Sequence, residues 1–372
     1  MSDTESTTAS TAGVAATVAP STACVAAAAG TTGAAPTTRT AATVCVPATA
    51  GVAATAGVAS TAAPPITGAT AWVFAGQGSQ VPGMGQDIYE AFPQTRTIFE
   101  STSAGFDIRK LCFDSPAELL GDTRYAQACM AAFAAAVVTV LREHGLTCDA
   151  TLGLSLGEYN ALYAAGVLDT QTLLELLGFR GAIMANASTI PSRMSAVFGL
   201  ADETVESTVN DVATRTGKVV SCTNYNCPGQ VVIGGEADAV EAAEALLLEQ
   251  GAKRCLPLKT SGPFHTALMA KAAQLLGQRL VTTPLKPQCV PVIFNAIAAP
   301  AADSDIRNLL VRHMCSPVRF SQSIYLLKEA GISSMIEVGP GRVLSGLIRK
   351  TAPEISVISI ETAEDLRKVV GA

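Results

Sequence analysis

The sequence predicts an α/β protein: a mostly parallel sheet with helices on both faces, interrupted by a smaller unit of ferredoxin-like βαββαβ order. Three observations predict it. Short apolar runs alternate with helical stretches along most of the chain. The order strand–helix–strand–strand–helix–strand occurs between Met194 and Leu258. Finally, 49% of the 372 residues are hydrophobic and only 15% are charged, ample material for a large core. At roughly 150 residues per domain, this length predicts two to three domains.

The first 65 residues stand apart. They hold 22 Ala and 15 Thr, no Leu, Ile, Phe, Tyr or Trp, and only Asp3, Glu5 and Arg39 as charged groups. Such a stretch cannot bury enough apolar surface to offset the entropy of ordering, so residues 1–65 are expected to be a disordered tail. Thr, Gly and Pro interrupt it too often for a membrane span. It lacks the basic start and Leu-rich centre of a secretory signal. An Ala/Ser/Thr-rich stretch without acidic residues after Glu5 fits a transit peptide, although one Arg is few for that reading. The segment Thr11–Thr17 recurs at Thr49–Thr55, a local duplication and no sign of a repeat fold.

Beyond the tail the elements follow in order. Ala71–Ala75 is a short apolar run ending in glycines, hence a buried strand entering a loop. Ala126–His144, rich in Ala and Val, reads as a long buried helix, and Thr151–Leu154 as a strand. Gly157–Ala165 and Gln171–Asn186 read as helices. The inserted unit then runs Met194–Leu200 (strand), Asp202–Thr216 (helix), Lys218–Thr223 and Gln230–Ile233 (strands), Glu236–Gln250 (helix) and Arg254–Leu258 (strand). The larger unit resumes with a helix at Ala267–Leu280 and strands at Val290–Phe294, Ser334–Val338 and Ile355–Ile360.

Charge and cysteine content narrow the function. A net charge of −6, from 25 basic and 31 acidic residues, disfavours nucleic acid, which wants a basic face. Ten Cys without close repeated pairing argue for a reducing compartment. The nearest pair, Cys222 and Cys227, has no neighbouring His and reads as buried thiols, not a metal site.

Gly153-Leu154-Ser155-Leu156-Gly157 is a G-x-S-x-G motif between a predicted strand and a predicted helix. That context exposes the Ser hydroxyl on a tight turn and aims backbone N–H groups at an oxyanion. A serine nucleophile needs a base. Of the three His, His144 ends a helix beside Gly145 and reads as a surface cation, and His313 lies in a charged helical stretch. His265, in the loop Ser261–His265 between a strand and a helix, is the base by elimination; a capping or exposed His is the alternative. The turn Ala75–Gln80 is neither a dinucleotide fingerprint nor a phosphate loop, and reads as a polar loop bringing a donor to a neighbouring site. Arg180 lies in an apolar helical run, so its guanidinium must be paired, with a structural carboxylate or with a substrate carboxylate.

The stretches VFAGQGSQVPGMG, GLSLGEYNALYAAGVL, FRGAIM, NYNCPGQVVIGG, SGPFHTALM, VPVIFNA and EVGPGRVLSGL run in family order from Trp72 to about Ile360. Together they resemble the malonyl-CoA:acyl-carrier-protein transacylase family, in the form found in plastids. The expected organisation is an α/β-hydrolase-like core over residues 71–190 and 263–362, with the ferredoxin-like subdomain at 191–262. The resemblance implies Ser155 as acyl-accepting nucleophile and His265 as general base. Arg180 would pair with the malonyl carboxylate. Gln77 and the Leu156 N–H would serve the oxyanion, and the main-chain carbonyl of His313, where bacterial relatives carry Gln, would orient the base. Leu154 stands where many relatives have His, and Phe264 resembles the malonyl-selective form.

The implied reaction is ping-pong malonyl transfer from malonyl-CoA to the phosphopantetheine thiol of acyl carrier protein, for fatty-acid synthesis, without metal or redox cofactor. A monomer with no membrane attachment is expected. The tail points to the plastid stroma, with the mitochondrial matrix as alternative. Arg342, Arg349 and Lys350 are clustered candidates for docking the carrier. A serine esterase or thioesterase, an acyltransferase of a polyketide pathway and a non-catalytic scaffold are the rival readings.

Overall fold

The computed structural model describes residues 64–66 and 68–372; the expected tail and transit peptide lie almost wholly outside them. Ten strands occur among the described residues: β1 Thr70–Phe74, β2 Ala150–Gly153, β3 Ser192–Phe198, β4 Val220–Cys227, β5 Gln230–Glu236, β6 Arg254–Pro257, β7 Val292–Phe294, β8 Ala299–Pro300, β9 Ser334–Val338 and β10 Ser356–Ile360.

Six strands form one sheet in the order β10-β9-β1-β2-β7-β8. All neighbours are parallel except the short edge strand β8. The apolar runs on β1 and β2 explain their central place, because a parallel strand is covered on both faces. One of the covering helices, Thr123–Glu143, starts at an Asp122 cap whose side chain accepts from the Arg124 N–H. Its composition would suit a membrane span, but it is mostly buried inside the protein, packed against helix Thr170–Ala185.

The other four strands form a separate antiparallel sheet, β4-β5-β3-β6. Numbered within their own unit this is 2-3-1-4, the ferredoxin-like arrangement that the βαββαβ order predicts. Helices Asp202–Thr216 and Ala237–Glu249 cover it around a Val-rich core. Backbone hydrogen bonds from Tyr225 N–H to the Val318 carbonyl and from Val318 N–H to the Thr223 carbonyl tie β4 to the larger unit.

The expected strands and helices are all present within a few residues. Among the described residues, additional helical segments lie between Gln86 and Leu120, and helices Phe320–Glu329, Val343–Thr351 and Ala363–Val370 follow later. The segments before Leu120 are four to seven residues long or a single 3-10 turn, too short for a helical period to stand out. All eight described cysteines are free thiols. Burial pushes the Cys222 thiol up to about 12 and raises that of Cys227, which fits packed thiols.

Candidate active site

Ser155 sits between β2 and the helix Gly157–Ala164 with φ +56°, a left-handed backbone that a non-glycine residue adopts only where its surroundings enforce it. The motif's flanking glycines permit close approach. A Cβ on Gly153 would come within 1.8 Å of the Gly157 carbonyl carbon, and one on Gly157 within 2.3 Å of the Phe74 carbonyl oxygen. The strain itself resides in Ser155, whose N–H donates to Asn295 Oδ1 at 2.8 Å while Asn295 Nδ2 donates to the Gly153 carbonyl at 2.7 Å. Asn295, fully buried at the end of β7, thus clamps both sides of the turn.

The Ser155 hydroxyl lies 2.8 Å from His265 Nε2. His265 Nδ1 donates to the main-chain carbonyl of His313 at 3.0 Å, which leaves Nε2 as the acceptor facing the serine. Burial first, and then the neighbouring His313, hold His265 well below the usual histidine range. It is therefore neutral and ready to take a proton. His144 is exposed at a helix end, where the sequence placed it.

Ser155, Leu156, Gln77, Arg180, Phe264 and His265 line a single cavity of about 440 Å³, together with Met194, Asn224 and Leu258 of the ferredoxin-like unit. The Leu156 N–H has no backbone partner among the described residues, as expected at a helix start, so it is open to an oxyanion. Gln77 needs refinement. Its side-chain amide donates to Thr123 Oγ1 at 2.8 Å and is held there, so its backbone N–H is the donor it can offer.

Arg180 is 1% exposed. One amino group donates to Gln127 Oε1 at 2.7 Å, and the guanidinium lies 5.1 Å over the Tyr159 ring. Its Nε and second amino group have no hydrogen-bond partner among the described residues. Of the two partners the sequence left open, no structural carboxylate is found among the described residues. A planar cation with two unfilled donors in a cavity suits a bidentate anion.

The sequence reading missed Asn295, Glu158, Gln127 and Tyr159. Glu158 directly follows the motif and would pass for an exposed first-turn acid. Asn295 had one signal, a lone amide closing the apolar run Val290–Phe294. Leu154 borders the cavity, with its backbone and side chain against Gly76. Of the basic cluster, Arg342 is paired with Glu361, whereas Arg349 and Lys350 are exposed on the helix whose Val343 and Leu347 line the cavity.

A serine on a strained turn, a neutral histidine and two backbone N–H donors for an oxyanion make this an acyl-transfer site, and the buried arginine marks the acyl group as acidic. Residues 71–369 match the acyl transferase domain. The chain is 39% identical over 306 residues to the malonyl CoA-acyl carrier protein transacylase of Bacillus subtilis, covering 81% of this chain and 96% of that protein. It is 37% identical over 297 residues to the Escherichia coli K12 protein of the same name, covering 78% and 95%. Its fold matches the acyl carrier protein S-malonyltransferase of Vibrio cholerae at a TM-score of 0.78 and 37% identity, covering 81% of this chain and 100% of that one. A malonyl-transacylase solved in complex with a type II PKS acyl-carrier protein matches at 0.79 and 36%, covering 82% and 99%. This chain belongs to the malonyl CoA-acyl carrier protein transacylase family.

Proposed function

We propose that this chain transfers malonyl groups from malonyl-CoA to the phosphopantetheine thiol of an acyl carrier protein, supplying fatty-acid synthesis. The observation that carries the reading is Arg180, buried with two unfilled donors in the cavity that holds Ser155 and His265. His265 takes the proton from Ser155 as the serine attacks the thioester carbonyl. The oxyanion forms against the N–H groups of Leu156 and Gln77. CoA leaves as its thiol, taking the proton from His265. Arg180 holds the carboxylate of the malonyl-serine. The carrier thiol then gives its proton to His265, attacks the ester carbonyl and releases Ser155.

Intact-protein mass spectrometry after mixing with malonyl-CoA tests this. One malonyl group appears on the wild type, persists in water and is discharged by acyl carrier protein; Ser155→Ala gains none. Rapid loss of the adduct to water without carrier would favour the esterase reading instead. Arg349 and Lys350, exposed on the helix whose Val343 and Leu347 line the cavity, supply local positive charge for an acidic carrier. The enzyme acts as a monomer, free of membrane. Residues 1–65 direct it to the plastid stroma; a fluorescent protein carrying this segment that stays in the cytosol would rule that out.

A further inference from the structure

Two titratable groups behind the base have no part in the reaction as derived. Glu158 and His313 are 0% and 1% exposed. Glu158 Oε2 accepts the Asn295 N–H at 2.5 Å, and Oε1 lies 3.2 Å from His313 Nδ1. Among the described residues no Lys or Arg pairs with Glu158. The His313 ring stacks on His265 with centroids 4.7 Å apart and planes 24° from parallel.

A carboxylate with no access to water is costly unless a cation compensates it. Placement in the first turn of its helix favours the anion, and His313 is the cation within reach. We propose that His313 is a positioning residue held as an imidazolium by Glu158, so that its ring charge keeps the stacked His265 in the neutral, proton-accepting form. The carbonyl of His313 fixes which nitrogen of His265 accepts, and its side chain fixes the charge state. Any residue could supply the carbonyl; the side-chain role needs His313 and Glu158 together. The other cation facing His265 is Arg180, from helix Thr170–Ala185, and exposed Lys259, on the loop of His265 itself, borders the same cavity. Both burial and His313 act on His265 in the direction this requires. The proposal rests on the malonyl-transfer reading only for its kinetic arm.

The chain has three histidines, so nitrogen-15 NMR of the full protein separates their protonation states, with exposed His144 as internal reference. Nε2 of His313 makes no hydrogen bond among the described residues, so protons on both ring nitrogens together, not on either one alone, are the diagnostic signal. At pH 7 His313 is expected to carry protons on both nitrogens, and His265 on Nδ1 alone. In His313→Gln, which keeps the carbonyl, and in Glu158→Gln, the titration of His265 and the acid limb of kcat/KM for malonyl-CoA move up by about one pH unit. A singly protonated His313 at pH 7 overturns the proposal, as does a His313→Gln protein whose His265 titrates unchanged. If neither protein accepts malonyl, the function fails while the NMR result still decides the pair. If Glu158→Gln does not fold, the wild type and His313→Gln suffice.

Discussion

The two ends of the cavity are built on opposite rules. At the reacting end hydrogen bonds hold both groups: Ser155 is clamped by Asn295 and faces His265, and His265 is fixed by the His313 carbonyl. At the recognition end, Arg180 has one hydrogen bond among the described residues, to Gln127, and two donors left bare there. The difference teaches where the chain sets geometry by itself and where a ligand must complete it. Chemistry gains from groups fixed before substrate arrives. Selectivity gains from a cost that only the right substrate removes, because an unpaired buried guanidinium is expensive.

The first way to break this comparison is to disable the reacting end alone. His265→Asn, which removes the base but tolerates the left-handed backbone at this position, is expected to slow acylation by malonyl-CoA roughly 10²–10⁴-fold, the scale of general-base loss. Binding of malonyl-CoA, followed by calorimetry, should change little, because Arg180 is untouched. An equal loss of binding and rate would show that the two ends are not independent.

The converse variant sharpens it. Arg180→Ala removes the attraction for malonyl and also the penalty for a neutral acyl group. If the unpaired charge costs about 3–5 kcal/mol, the preference for malonyl-CoA over acetyl-CoA should fall roughly 10²- to 4 × 10³-fold. Arg180→Lys restores charge without the planar fork and should recover part of it. The measurement is kcat/KM for both thioesters in three proteins. An unchanged ratio in Arg180→Ala would mean that Arg180 does not select the acyl group.

The same contrast explains what the sequence disclosed. Ser155, His265 and Arg180 lie on contiguous motifs, and the structure brings these three to one cavity and sets the carbonyl of His313, which lies between motifs, against His265. The βαββαβ unit was legible because its short strand segments and two helical segments alternate in a recognisable order separated by turn residues. The clamp was not legible. Asn295 and Ser155 are 140 residues apart, and nothing local says that an amide at a strand end will face a serine at a turn. Glu158 carried the opposite signal, since an acid in a first helical turn is normally solvated, yet here it is fully buried. Local pattern reports elements and reactive residues; the groups that hold them come from strand order, which brings β2 beside β7.

The smallest effect separates the two ends by pH. His265 is buried and held below the ordinary histidine value of about 6.5. Between its folded value and about 6.5, the unfolded chain binds a proton at this residue that the folded chain does not, so stability rises with pH there and falls as the solution is acidified. The contribution of this single group is at most about 1.4 kcal/mol per pH unit and vanishes above pH 6.5 or so. Arg180 stays charged throughout, so the cost at the recognition end has no such slope of its own. Replacing His265 needs care, because its φ is +62° and most side chains would be strained there. His265→Asn keeps a small polar residue that tolerates this conformation. Urea unfolding from pH 7.5 to 5 should then give a shallower acid-side loss of stability in His265→Asn than in the wild type. Arg180→Met, which removes a buried unpaired charge, should raise stability at pH 7.5 and by somewhat more toward pH 5, because Arg180 also helps to hold His265 unprotonated. Parallel curves for the wild type and His265→Asn would mean that His265 takes up its proton in the folded protein, and the neutral base at the reacting end would have to be given up.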